Sequence, residues 1–321
     1  MKLLNAAVAT LAVTLSAAPS FAADDSYPEK DINLIVGFAA GGGTDTLARL
    51  IAPHVEKSLK GAKIVVKNVP GAGGLIGTTQ VAKAKPDGYT IGLFTLPGTV
   101  ARTHDRKTEY NVGSFTYLAN IVNDPSVIVV NKASKVNSLA DLVKQGKQSA
   151  NGVTVAVSTM GGDDQFVMMA LGEQGGIRID YVPFKGTAPA RSALMGGHVD
   201  SSSMNLSEVI GFEDELKALC VAQKERSPLA PNIPTAKEQG FDIEMGTTRG
   251  FVAPAGLPAP VRDKLIAAFK AAYDNPEFQK AMKATGAQLE YVGGKDYEEQ
   301  TKKQDAIAKK VWETTPWSIT N

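Results

Sequence analysis

The sequence predicts an α/β fold of two domains with a ligand cleft between them, on three observations. Apolar β-rich runs alternate with helical patterns, a second βα series opens in mid-chain, and a proline-rich shift near residue 227 marks a return to the first domain. The first strand, 32–36, leads into Phe38-Ala39-Ala40-Gly41-Gly42-Gly43-Thr44-Asp45 and then into an amphipathic stretch, 46–59, with Leu47, Leu50, Ile51 and Val55 on one stripe. Three glycines permit positive φ and close backbone approach, and the first turn of the helix leaves N–H groups free to hold a carboxylate or phosphate. Thr44 or Asp45 is suited to cap that helix, and the same residues also read as an ordinary capped turn.

Further strands are expected at 64–69, 89–94, 126–130, 153–158 and 179–184. A capped helix should start at 137–142, and surface helices at 258–274 and 296–312. The strand at 153–158 runs into Ser158-Thr159-Met160-Gly161-Gly162-Asp163-Asp164 and then a helical run through Phe166, Met169 and Leu171, so a second strand–turn–helix unit should face the first across the cleft. The expected division is a signal peptide at 1–23, a first domain at 24–122 plus 227–321, and a second at 123–226.

Lys2, an apolar stretch at 3–18 and Ser20-Phe21-Ala22-Ala23 form a secretory signal without a twin-arginine pair. No later apolar run approaches the ~18 residues that span a bilayer. The chain carries 34 Lys and Arg against 33 Asp and Glu, and loss of Lys2 with the signal leaves no net charge, which argues against nucleic acid or an anionic membrane as partner. Cys220 is the only cysteine, so stability rests on an apolar core without an intramolecular disulfide.

The chain resembles the extracytoplasmic solute receptors of tripartite tricarboxylate transporters, the Bug family, over essentially its whole mature length. The resemblance is carried by Ile35-Val36-Gly37-Phe38 with Gly42 to Asp45, by Val69-Pro70-Gly71-Ala72-Gly73-Gly74, and by Pro86-Asp87-Gly88-Tyr89-Thr90. It continues in Val182-Pro183-Phe184-Lys185-Gly186-Thr187-Ala188-Pro189-Ala190, Gly196-Gly197-His198-Val199-Asp200 and Ala253-Pro254-Ala255-Gly256-Leu257-Pro258. It implies a two-domain periplasmic binding protein, type II-like, that closes on a small organic acid and pinches one carboxylate between two loops. Carried over, the loops are Phe38 with Gly42, Gly43, Thr44 and Asp45, and Ser158, Thr159, Met160, Gly161, Gly162 and Asp163. Lys185, Gly186, Thr187, Ala188 and Thr95 would line the cleft.

Departures from the family pattern sharpen the expectation. Met160, Asp163 and Gln165 stand where relatives often carry a glycine, a hydroxyl and a histidine; Asp163 either caps its own helix or accepts a ligand ammonium. Ser201 to Asn205 form a neutral polar wall suited to hydroxyl or carboxylate. Arg249 is either a bidentate partner for a second carboxylate or a structural ion pair at the domain seam.

The resemblance implies a non-enzymatic, periplasmic receptor, expected as a monomer, with no cofactor and no metal, whose partners are a small carboxylate and an integral-membrane permease. A sensor subunit for a signalling receptor uses the same cleft. A secreted NAD-type oxidoreductase is the rival suggested by Gly71 to Gly77, but the glycine spacing is wrong and the expected acid near Leu93 to Leu96 is missing. His54, His104 and His198 are scattered, and no hydrolase elbow, zinc or Walker motif is present.

Overall fold

The computed structural model describes residues 26–314, 316 and 317; the expected signal peptide lies outside them. Parallel strands β1 (Ile32–Val36), β2 (Ile64–Asn68) and β3 (Thr90–Leu96) are linked by helices α1 (Gly43–Ser58) and α2 (Leu75–Ala82), and α3 (Gly98–Asp105) follows β3. The 17-residue strand β4 (Phe115–Asn131) then carries the chain out of the first sheet. Beyond it come α4 (Leu139–Gln148), β5 (Val153–Val157), α5 (Asp163–Gly175), β6 (Ile179–Pro183), α6 (Thr187–Met195), β7 (Ser201–Asn205) and β8 (Leu216–Val221). The last elements are β9 (Gly246–Pro254), α7 (Ala259–Asp274), α8 (Pro276–Ala284), β10 (Leu289–Gly293) and α9 (Gly294–Thr314).

β4 belongs to two sheets, which is what makes two units out of one chain. Its first part pairs antiparallel with β9, from Phe115 opposite Pro254 to Pro125 opposite Gly246, and also with β10. Its last part pairs with β7 and β8. The first sheet therefore runs β2-β1-β3-β9-β4 and the second β4-β7-β5-β6, with β10 and β8 attached to β4. Parallel strands covered on both faces are near-continuously apolar, and β1, β3 and β5 are so apart from Asn33, from Thr90 and Thr95, and from Thr154.

Each unit has its own core: Leu34, Leu47, Ile51, Phe251 and Phe269 cluster in the first, and Leu142, Val155, Leu171 and Cys220 in the second. The proline-rich segment does not end the second unit, as the sequence suggests. Leu229, Ala230 and Ile233 pack against the cluster containing Val221, and Ala236 and Ile243 are buried with Cys220. The prolines turn the chain, but the apolar residues between them still find their burial on the second sheet, and the first sheet is re-entered only at β9.

Helix α4 starts where expected, with the Ser138 hydroxyl accepting from the Asp141 N–H at 3.0 Å. Helix α1 departs from expectation. It starts at Gly43 behind an extended Gly42, and neither Thr44 nor Asp45 caps it.

Candidate functional site

The two glycine turns have nearly the same backbone. Gly41 has φ +85° and Gly161 φ +74°; each is followed by an extended glycine, Gly42 at φ −89°, ψ 171° and Gly162 at φ −91°, ψ 171°. A side chain four residues on accepts from the first glycine of each pair: Asp45 Oδ2 from Gly41 N–H at 3.0 Å, and Gln165 Oε1 from Gly161 N–H at 2.6 Å. The turns sit at the ends of β1 and β5 and face each other across one cavity.

Phe38, Gly42, Thr44 and Thr95 line that cavity from the first unit, and Ser158, Thr159, Gly162, Asp163, Thr187 and Asn205 from the second. Arg249 lines it at the seam. The remaining candidates are turned elsewhere. Asp45 is held by Arg49 and by Asn68 at 3.0 Å. Burial opposes its charge, but these donors and Gly41 outweigh that and keep its carboxyl below the usual range. Met160 packs on the second apolar cluster, and Lys185 is exposed. Gly43, Gly161, Gly186 and Ala188 are also absent from the lining. Gly186, at φ +125°, faces the first unit: a Cβ there would lie in van der Waals contact, 3.6 Å from the Ala39 nitrogen.

Ala39 lines the cavity from within the first turn, and Gly98, Arg102, Glu208 and Thr247, which also line it, were not singled out by sequence. Glu208 reaches from the second unit to the N-terminus of α1: its Oε1 accepts from Gly43 N–H at 3.0 Å, while Oε2 accepts from Asn205 N–H at 3.1 Å. A carboxylate at a helix N-terminus satisfies an orphan donor and the positive dipole end, so the cap missing from the sequence of α1 is supplied by the other unit.

Arg249, 2% exposed, forms the seam ion pair. Nη1 donates to Asp124 at 2.5 Å, Nη2 donates to Asn205 Oδ1 at 2.9 Å, and Glu208 Oε1 lies 3.8 Å away. Burial raises the Asp124 carboxyl, and Arg249 and Ser207 hold it back.

Asp163 does not cap α5; the helix follows Gly162. Its Oδ2 accepts from Ser126 Oγ at 2.7 Å and from Asn205 Nδ2 at 2.8 Å. Asp164 accepts from the Ser158 and Gln165 N–H groups. Burial pushes both carboxyls up, Asp164 to about 7, with the neighbouring Asp163 adding to its rise.

The family model described as "Tripartite tricarboxylate transporter family receptor" matches residues 47–313. The chain belongs to that receptor family. Its fold is that of the periplasmic binding protein BugD, with TM-score 0.85 and 32% identity over 91% of this chain and 99% of that one. MatC of Rhodopseudomonas palustris, solved with bound malate, aligns with TM-score 0.82 and 29% identity over 89% and 99%. An R. palustris protein solved with adipate aligns with TM-score 0.82 and 28% identity over 90% and 96%.

Receptors of this family are periplasmic substrate-binding proteins, not enzymes. No described helix of this receptor is long and apolar enough to cross a membrane, and no cluster of metal-ligating side chains occurs among the described residues. The glycine-rich stretch that suggested a dinucleotide serves packing in this receptor: a Cβ on Gly73 would lie 2.7 Å from Arg102 Nε, and one on Gly77 2.8 Å from the Gly37 Cα. Of the histidines, His104 pairs with Asp305 at 2.8 Å, and His54 packs edge-on to Phe278. Trp317 packs on Phe166 and Trp312 and donates to Asp105, pinning the chain after α9 to the body.

Proposed function

We propose that this protein captures a small organic carboxylate in the periplasm, closes on it, and presents it to an integral-membrane permease. The observation that carries the reading is the matched pair of strand–glycine–helix turns, one from each unit, facing one cavity with Thr44, Thr95, Ser158, Thr159 and Thr187 on its walls. Hydroxyls and helix N-termini from both units recognise an anion only when the units are together, so the ligand stabilises the closed state. The malate and adipate held by the two R. palustris proteins are acids of this kind.

Within this reading the lining residues of both turns are the ligand contacts, and residues 1–23 direct export. The protein acts as a monomer that catalyses no reaction and carries no cofactor. Titration calorimetry with mono-, di- and tricarboxylates and with NADH tests it. Heat from at least one acid class and none from NADH supports the receptor; heat from NADH alone overturns it in favour of the oxidoreductase. Retention of the ligand-bound form on a permease complex supports transport, and retention on a signalling receptor instead would reassign the same cleft to sensing.

A further inference from the structure

Two arginines line the cavity, and their surroundings differ. Arg249 is bonded to Asp124 and stands beside Glu208, so its charge is answered within the protein. Arg102 on α3 is 1% exposed, and its two hydrogen bonds go to neutral oxygens, Gly98 O and Thr159 Oγ1. Among the described residues no carboxylate comes within ion-pair distance of it. The acid next along its own helix, Asp105, is bound to Arg106 at 2.6 and 2.9 Å and accepts from Trp317.

A buried charge without a counter-ion is expensive, and a guanidinium cannot shed its proton to escape the cost. Burial works against this charge more strongly than any neighbour supports it. Two of the five donors a guanidinium carries are engaged, which leaves the rest for a guest. Gly73 on one side and Gly98 on the other leave room for the side chain: a Cβ on either would lie within 3.2 Å of it. Such a cation is costly in the empty protein and is compensated when an anion enters the cavity.

The acids of the cavity complete the argument. Glu208 is committed to the N-terminus of α1 and to Asn205, and Arg249 to Asp124. What remains among the described lining residues is one cation without an ion pair, Arg102, and one half-buried acid, Asp163, whose bonded partners Ser126 and Asn205 are neutral. We propose that Arg102 is the counter-ion of the ligand's carboxylate and that Asp163 accepts from a donor at the ligand's other end. The solute is then a small acid with one carboxylate and a hydroxyl or ammonium group, in preference to a dicarboxylate. This rests on the receptor reading above and narrows its substrate class.

Titration calorimetry on the full mature receptor tests it with butyrate, 4-hydroxybutyrate, 4-aminobutyrate and succinate and their longer homologues. The hydroxy or amino acid is expected to bind tightest. Arg102→Gln should weaken that acid by about 100-fold, as expected for loss of one member of a buried charge pair, and Arg102→Lys should recover part of it. Thr159→Val, which removes the bond between the units but keeps the charge, should cost far less, and Asp163→Asn should selectively weaken the donor-bearing acid. If Arg102→Gln, folded by its melting curve, binds the preferred acid as wild type does, or if succinate binds tightest, the proposal fails and the receptor reading stands. If no acid gives heat, both fail together.

Discussion

At the first turn, α1 opens on Gly43, whose N–H donates to Glu208 of the opposite unit, and the acid of the turn, Asp45, is paired with Arg49 and accepts from Asn68. At the second, α5 opens on Asp163 and Asp164, whose bonded partners are neutral donors. The backbones match to within about ten degrees at both glycines, yet one turn is electrically settled and the other is not. Backbone shape is therefore the shared device for holding an anion, and the side chains that neutralise each turn decide which anion, and at what pH.

The largest break in that comparison comes from removing the seam cation, Arg249, which stands beside the Glu208 carboxylate that caps the first turn. Arg249→Ala leaves Asp124, wholly buried, without its counter-ion and frees Glu208 from one neighbour. Losing one partner of a buried pair costs about 3–5 kcal/mol, so chemical denaturation should show a loss of that order. A loss below 1 kcal/mol would mean that Arg249 is not what holds the seam. Because its Nη groups are committed to Asp124 and Asn205, Arg249→Ala should weaken mono- and dicarboxylates alike; a loss confined to dicarboxylates would restore the reading of Arg249 as partner of a second carboxylate.

A smaller break exchanges the residues themselves. Gly43 and Asp163 occupy equivalent positions, but a Cβ on Gly43 would lie 2.7 Å from Arg249 Nη2 and 2.8 Å from its Cζ. Gly43→Ala must therefore displace the seam arginine. The expected cost is about 1–3 kcal/mol, read as a lower melting temperature, with weaker closure seen as lower ligand affinity. No change in either would show that the seam has slack.

The pH dependence separates the turns by sign. The Asp164 carboxyl is raised to about 7 from an ordinary value near 3.8, so the stability it contributes is full below about pH 4 and is lost as the pH rises through about 7. Asp45, held low, contributes stability above about pH 4 that is lost on acidification. Asp163→Asn removes one of the two adjacent charges while keeping an oxygen for Ser126 and Asn205. Its melting temperature relative to wild type should rise between pH 5 and pH 8. A flat difference across that range would show that the two carboxyls do not interact.

Both turns were legible in the sequence because each is local: an apolar strand, consecutive glycines and a helix period follow one another within 16 residues at 32–47 and 15 at 153–167. Glu208 was not, because the donor it serves, Gly43 N–H, is brought to it only when the two units close. Arg102 was missed for a related reason. Nothing in Gly98 to Asp105 distinguishes a surface helix from a buried one, and only the packing of α3 under Gly73 and Thr159 sequesters the side chain. Lys185 shows the converse: a motif can carry a charged residue to the rim of a site and leave it in solvent.

The smallest expected effect tests the backbone match itself. Gly41 and Gly161 both have positive φ, which a side chain adopts only with strain of about 1–2 kcal/mol. A Cβ on Gly41 would meet nothing within 4 Å, so Gly41→Ala should cost about that strain alone. A Cβ on Gly161 would also lie 2.8 Å from Trp317 Nε1, which itself donates to Asp105, so Gly161→Ala carries a steric cost as well and should lower the melting temperature further. Combining Gly161→Ala with Trp317→Ala removes the obstacle. Measured against Trp317→Ala alone, the glycine change should then cost what it costs at Gly41; an excess that persists would mean that the two turns share their shape in this state without sharing its energetics.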